Sequence, residues 1–261
     1  MTESIGVWEV AASLSLVAVA AVVGWWLQLG VTRRIVVAAL RAGVQLLVVG
    51  LLLTAVVTAR NAQWWVWVWV AVMVAITSFI ARRRAPEIPG GGLVSVASVV
   101  GATAVCLLVI FGFGVLDYTP INVVVVAGIT IGNTLPGIVL SGKQLVDALR
   151  EGRGQIESLL ALGFDVLGVT RFAGGEIART ALIPQIERTN VVGLIALPGA
   201  MTGLLLAGTD PVDAVLVQLI VMYLVLGAVS ISVVVTIAVG MRRMFTPDLR
   251  LKIAAGRPVV D

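Results

Sequence analysis

Polar side chains lie beside two Leu-Pro-Gly turns in otherwise apolar sequence. Asn133 and Thr134 precede Leu135-Pro136-Gly137, and Met201 and Thr202 follow Leu197-Pro198-Gly199. Each proline removes a helix hydrogen bond, and a carbonyl freed within a bilayer must be buried or face a cavity. Paired Gly/Pro-interrupted apolar segments point to a transport site. Amide, hydroxyl and thioether groups at such a site could pass a polar solute or a metal ion along. The neighbouring pairs Gly128/Gly132 and Gly199/Gly203 also have the spacing of helix-packing motifs. Arg41 and Gln45 share one helical face. Arg41 is the only charged residue within an expected span away from the span ends. Either it snorkels to the headgroups, or it turns with Gln45 into the bundle.

The chain has no histidine and one cysteine, Cys106. Imidazole metal sites and histidine acid–base chemistry are therefore excluded, and Cys106 reads as a packing residue. The run from Gly137 to Gly142-Lys143-Gln144 nearly matches a phosphate loop. Gln144, however, stands where Ser or Thr must ligate magnesium, and the residues between the glycines are apolar. No ATP site is expected on this chain.

The elements that must position these groups follow from composition. An ordinary soluble domain is about 45–50% apolar and about 25% charged. This chain of 261 residues is 59% hydrophobic and 12% charged, with a mean hydropathy of +1.09. Those values exclude a soluble enzyme, a disordered segment and a nucleic-acid-binding domain, despite a pI near 10.0. At about 20 residues per span the length allows roughly seven spans and one polar loop. The apolar runs place them at Trp8–Leu29, Ile35–Val57, Trp64–Ile80, Gly92–Phe113, Ile121–Leu140, Val191–Leu206 and Val212–Val239. The fold class is all-α: a polytopic integral membrane protein, one transmembrane domain over 1–261. Within it, 141–190 forms a cytoplasmic segment.

Every basic residue except Arg41 and Arg60 falls on one side of that arrangement. The opposite side holds Glu3, Glu9, Asp117, Asp210 and Asp213. The positive-inside rule then puts the N-terminus outside and the C-terminus in the cytoplasm of a multi-pass plasma-membrane protein. The N-terminus lacks the basic start of a signal peptide, so the first helix is expected to remain. Trp8, Trp25, Trp26 and the Trp64–Trp69 cluster suit an interfacial belt. Only Glu9 and Asp213, each at the outer end of its expected span, are acidic there, and none lies deeper, which disfavours proton coupling.

In the polar segment, Gln144–Leu162 reads as amphipathic, broken near Gly152 and Gly154. Gly163 is a helix stop, and Asp165 caps the next piece, Val166–Ile183. Glu157-Ser-Leu-Leu-Ala-Leu-Gly163 resembles the Glu-Ala-Ala…Gly cytoplasmic loop of ABC importer permeases. More specifically, Arg41-Ala-Gly-Val-Gln45, Gly132-Asn133, Ile183-Pro184-Gln185-Ile186 and Val192-Gly-Leu-Ile-Ala-Leu-Pro-Gly-Ala-Met-Thr-Gly203 resemble the iron-export ABC transporter permease (Fet-type) family. That family also includes plant proteins linked to aluminium tolerance. The chain departs from its pattern at Gly163-Phe164-Asp165 and at Gly199-Ala200-Met201.

The resemblance implies the membrane subunit of an ATP-driven exporter of metal ions such as iron. It implies a permease homodimer and a separate ABC ATPase that carries ATP and magnesium, with no cofactor on this chain. Glu157, Leu160, Gly163, Phe164 and Arg171 would then couple to the ATPase. Arg41, Gln45, Asn133, Thr134, Pro136, Pro198, Met201 and Thr202 would border the substrate path. The alternatives are an ATP-independent facilitator or secondary carrier of a small polar solute, and a membrane scaffold that transports nothing.

Overall fold

A computed structural model describes residues 7–58, 61–85, 88–195 and 197–252. Glu3, Arg60 and Arg257 lie outside them, as does the side chain of Glu9. The described residues form nine helices: α1 Val7–Trp26, α2 Thr32–Thr58, α3 Ala62–Arg84, α4 Gly91–Gly112, α5 Pro120–Glu151, α6 Arg153–Ala161, α7 Val166–Asn190, α8 Gly199–Leu206 and α9 Pro211–Met244. Five contain stretches long and apolar enough to cross a membrane: Thr32–Thr54, Ala62–Arg84, Gly91–Gly112, Pro120–Glu151 and Pro211–Met244. A shorter apolar helix covers Ala11–Trp26. The protein is an all-helical polytopic membrane protein.

The chain divides into two compact units, Met1–Trp65 and Val66–Asp261. In the first, α1 and α2 pack as a hairpin, and the Thr32 hydroxyl donates to the Ala21 carbonyl at 3.3 Å. Most side chains of α2 are exposed, Arg41 and Gln45 among them.

In the second unit, α4, α5 and α9 form the core. Helix starts are set by local chemistry. Thr119 accepts from the Asn122 amide at 3.2 Å ahead of Pro120, and Asp210 accepts from the Val212 amide at 2.9 Å ahead of Pro211. Both pair a side-chain cap with proline at the first helical position, where its missing N–H costs nothing. Close approach is then made by small residues. A Cβ added at Gly137 of α5 would sit 3.0 Å from Val229 and 3.2 Å from Val233 of α9, and one at Gly240 only 2.6 Å from Leu145. These contacts advance together along both chains, so α5 and α9 run parallel. α4 runs antiparallel to α9: Ser98 meets Thr236 in a buried hydroxyl pair at 2.8 Å, and Val235 approaches Gly101.

Two expected breaks and spans are corrected. Helix α5 is continuous for 32 residues through Pro136, so Leu135-Pro136-Gly137 does not interrupt it. The proline removes one backbone bond, but Gly137 next to it sits in the tightest part of the α5–α9 contact, and that packing holds the helix in line. The same continuity makes Ser141 a mid-helix residue, where a loop was expected to begin. The expected span Val191–Leu206 is helical only over the eight residues of α8. That is about 12 Å of helix, against a hydrocarbon core of about 30 Å.

The return from the end of α5 to the start of α9 is instead begun by α7. Gly174 of α7 lies against Ile237, where an added Cβ would be 3.3 Å away, while Pro184 and Arg188 reach Val229. Helix α7 therefore runs antiparallel to α9 and climbs half its length. Its five charged residues placed it in the expected cytoplasmic segment, outside the spans. Gly174, Ile177 and Ala181 are nevertheless buried in the α5–α7–α9 core. Packing overrides the weak propensity of Gly174-Gly175.

Candidate functional site

Where α7 ends, a cavity of about 200 Å³ opens between α5, α7 and α9. It is lined by Asn133, Pro136, Gly137 and Leu140 of α5, Ala181, Pro184, Gln185 and Arg188 of α7, and Val229 of α9. At 1.5 Å per residue, Val229 is about 22 Å from Met244 and about 27 Å from Pro211 along α9. Asn133 is about 20 Å from Pro120 on the same scale. Both helices are apolar throughout this stretch, so the cavity sits midway along membrane-spanning helices.

Its polar groups are two amides and a guanidinium. Asn133 Nδ2 donates to the Ile129 carbonyl at 2.8 Å, which leaves Oδ1 and a second amide hydrogen toward the cavity side. Gln185 Nε2 reaches Thr189 Oγ1 at 3.4 Å. Arg188 lies in the last turn of α7, where the exposed carbonyls favour a cation. Arg188 lies on α7, outside every span expected from the sequence.

Beyond Asn190 the chain leaves α7 and turns through Gly193 at φ +84°, and the next described helix begins at Gly199. Non-helical backbone at this level is tolerated where it is buried in protein or lines a cavity. The return limb is therefore a discontinuous helix, in the sense that marks transport sites.

The structure brings Asn133 and Pro136 together, with Gln185 and Arg188. Thr134 is fully buried on another face of α5, its hydroxyl donating to Ile131 at 2.9 Å. Pro198, Met201 and Thr202 belong to the α8 turn, which packs on α9, and they do not line this cavity. Thr202 returns its hydroxyl to the Pro198 carbonyl at 3.1 Å. Arg41 and Gln45 stand exposed on α2 in the first unit. Gln185 and Arg188 were missed because they fall in a segment whose average charge looked cytoplasmic; the uncharged run Ala181–Ile186 was the available sign. Gln218 of α9 was missed too. It is 8% exposed, and its Oε1 has no partner among the described residues. The glycine pairs also differ from expectation. Nothing lies within 4 Å of a Cβ added at Gly132, Gly199 or Gly203, whereas Gly137, Gly174 and Gly240 make the close contacts.

A second candidate surface lies at the other end of α7. Helix α6 is nine residues long, with Arg153 Nε donating to Glu157 Oε1 at 2.7 Å on its exposed side and Ile156 buried beneath. It stops at Gly163, whose φ of +90° suits glycine alone. The Gly163 and Phe164 amides return to the Leu160 and Leu159 carbonyls, which closes the helix with a Schellman turn. Asp165 caps α7 by accepting from the Gly168 amide at 2.8 Å, as expected from sequence. This turn projects apolar side chains outward: Leu162 is 77% exposed, and Phe164, Leu167 and Phe172 are exposed beside it. Glu157 and Arg171 flank them, and Leu160 is half-buried against the core. The same end of the unit gathers the arginines. Arg243 lies 3.6 Å from a Cβ added at Gly90, and Arg82 lies 3.4 Å from one at Gly92.

The chain matches the family described as "Uncharacterised protein family (UPF0014)" over residues 7–245. Among curated proteins it is 30% identical to the rice "UPF0014 membrane protein STAR2", over 95% of this chain and 86% of the rice protein. It is 27% identical to "Protein ALUMINUM SENSITIVE 3" of Arabidopsis thaliana, over 95% of this chain and 90% of that one. It is also 27% identical to the "Probable iron export permease protein FetB" of Escherichia coli, over 91% of each chain. No solved structure matches it. The chain belongs to the UPF0014 family of membrane proteins.

Proposed function

We propose that this UPF0014 protein is the membrane subunit of an ATP-driven transporter, acting as a pair of permease copies with a separate ATPase that holds ATP and magnesium. The observation that carries this reading is the α6–α7 turn. Leu162, Phe164, Leu167 and Phe172 form an exposed apolar cluster outside the apolar spans, on a rigid turn attached directly to α5 and α7. Such a cluster rimmed by charge marks a protein contact. Its helices lead to the cavity at Asn133 and Arg188, so force applied at α6 reaches the break in the return limb. An ATP-independent facilitator or a scaffold would leave that surface without a role.

The name of the E. coli relative supports export of metal ions such as iron as the activity. The arginine-rich end is then cytoplasmic, the N-terminus is outside, and the C-terminus is inside.

The test is a pull-down of the tagged chain from its native membrane. An ABC ATPase should co-purify with it and should be lost from Phe164→Asp, while the variant still inserts. Recovery of the wild-type chain without any ATPase would sink the reading. Thiol labelling of single cysteines at Thr209 and Arg153 checks the orientation: label reaching position 153 from outside intact cells reverses it.

A further inference from the structure

We infer that the cavity between α5, α7 and α9 recognises negative charge. The cargo presents a carboxylate or phosphate-like oxyanion there, and any metal it carries crosses inside an anionic chelate, not as a bare cation. This rests on the transporter reading above and narrows its substrate class.

The lining decides it. Among the described residues the cavity has one charged side chain, the guanidinium of Arg188, and two amides, Asn133 and Gln185; no carboxylate, thiol or thioether lines it. Nor is there, among the described residues, any group of three or more His, Cys, Asp or Glu residues that could hold a metal ion. A bare divalent cation entering here would meet the Arg188 positive charge with only amide and carbonyl oxygens, and no carboxylate, to offset the repulsion. An oxyanion meets the opposite arrangement. Arg188 offers a planar fork of donors, the geometry that grips carboxylate or phosphate through two parallel bonds. Asn133 and Gln185 each keep an amide hydrogen beyond the bonds they make to Ile129 and Thr189. The size agrees: about 200 Å³ is the room of roughly seven waters, enough for one oxyanion head and its near hydration but not for a large solute.

The test measures binding to the full chain in lipid nanodiscs, with citrate, ferric citrate and ferrous chloride as probes at low ionic strength. Citrate and ferric citrate should bind, with affinity that falls as salt rises, and ferrous chloride should not. Arg188→Gln should weaken both anions about tenfold or more, and Arg188→Lys should recover only part of the loss because it lacks the fork. Asn133→Asp, which keeps the side-chain shape, should weaken the anions and admit ferrous ion. Equal citrate binding by wild type and Arg188→Gln overturns the inference, and so does tighter binding of ferrous chloride than of either anion. If Arg188→Gln does not fold, Asn133→Asp and the salt dependence decide alone. Because these measurements need no ATPase, they can fail while co-purification of the ATPase stands, and the reverse also holds.

Discussion

Helix α9 and the return limb, in which α7 and α8 are joined through the turn at Gly193, are built by different means. Helix α9 is one 34-residue helix. Its close contacts are made at Gly137, Gly174, Val229, Val233 and Gly240, and its buried Ser232 and Thr236 hydroxyls are returned to its own carbonyls or to Ser98. The return limb is a charged helix, an irregular turn and a helix of eight residues. One element has every reason to stay fixed. The other holds the exposed apolar turn proposed to dock the ATPase at its base, the cavity arginine midway and the break above it. Rigidity and function are thus divided between neighbours, and the division can be tested from either side.

The largest effect is expected where the scaffold is tightest. Gly137→Leu would drive a side chain into Val229 and Val233, both buried and β-branched, with a Cβ already 3.0 Å from the first. Overpacking of this kind costs about 1–3 kcal/mol or more, and the protein should fail to accumulate in the membrane. Gly132→Leu, one turn and a half away in open space, should accumulate normally. Equal levels of the two variants, measured by fluorescence size-exclusion chromatography, would show that α5 and α9 are not the clamp described here.

Next comes the base of the return limb. Gly163→Pro replaces a residue at φ +90° with one fixed near −65°. It should unseat the Schellman turn and the apolar cluster while leaving the spans inserted. Loss of an anchor at the centre of an interface is worth about 2 kcal/mol, or roughly thirtyfold in affinity for the proposed ATPase. Native ATPase affinity with normal transport would return α6 to the status of a solvated loop.

Much of this division was legible in the sequence, and the gaps have physical causes. Capping chemistry is local, so Asp165 and Gly163 announced the two ends of the α6–α7 turn. Spans with clean apolar runs, α2 to α5 and α9, were found for the same reason. Pro136 misled because proline speaks only about its own backbone bond; what holds α5 together there is the contact Gly137 makes with another helix. The packing glycines had equivalents in sequence that pack against nothing, since spacing cannot say which face meets α9. Helix α7 failed the hydropathy test because its buried face needs only Val169, Gly174, Ile177 and Ala181. Its charges point elsewhere, and one of them reaches the cavity.

A smaller effect is expected at the break. Gly193 adopts φ +84°, and nothing lies within 4 Å of an added Cβ, so Gly193→Ala meets no steric obstacle. Its cost is conformational alone, about 1–2 kcal/mol. If the turn is part of a moving limb, that cost should appear in the transport rate, with little change in the melting temperature. A variant with lowered melting temperature and an unchanged rate would make the turn a static corner.

The smallest effect belongs to α9 itself. Gln218 is 8% exposed, and its Oε1 has no partner among the described residues. A buried acceptor without a donor costs about 1–3 kcal/mol, and an apolar replacement of similar shape removes that cost. Gln218→Leu should therefore raise the melting temperature by a few degrees, the shift expected of about 1 kcal/mol in a chain of this size. If α9 is only scaffold, transport should be unchanged. A stabilised variant that no longer transports would mean that Gln218 keeps its acceptor free for the passing solute. The path would then run along α9 as well as through the return limb, and the contrast between a fixed element and a working one would hold only for the half of α9 that faces Gly137 and Leu145.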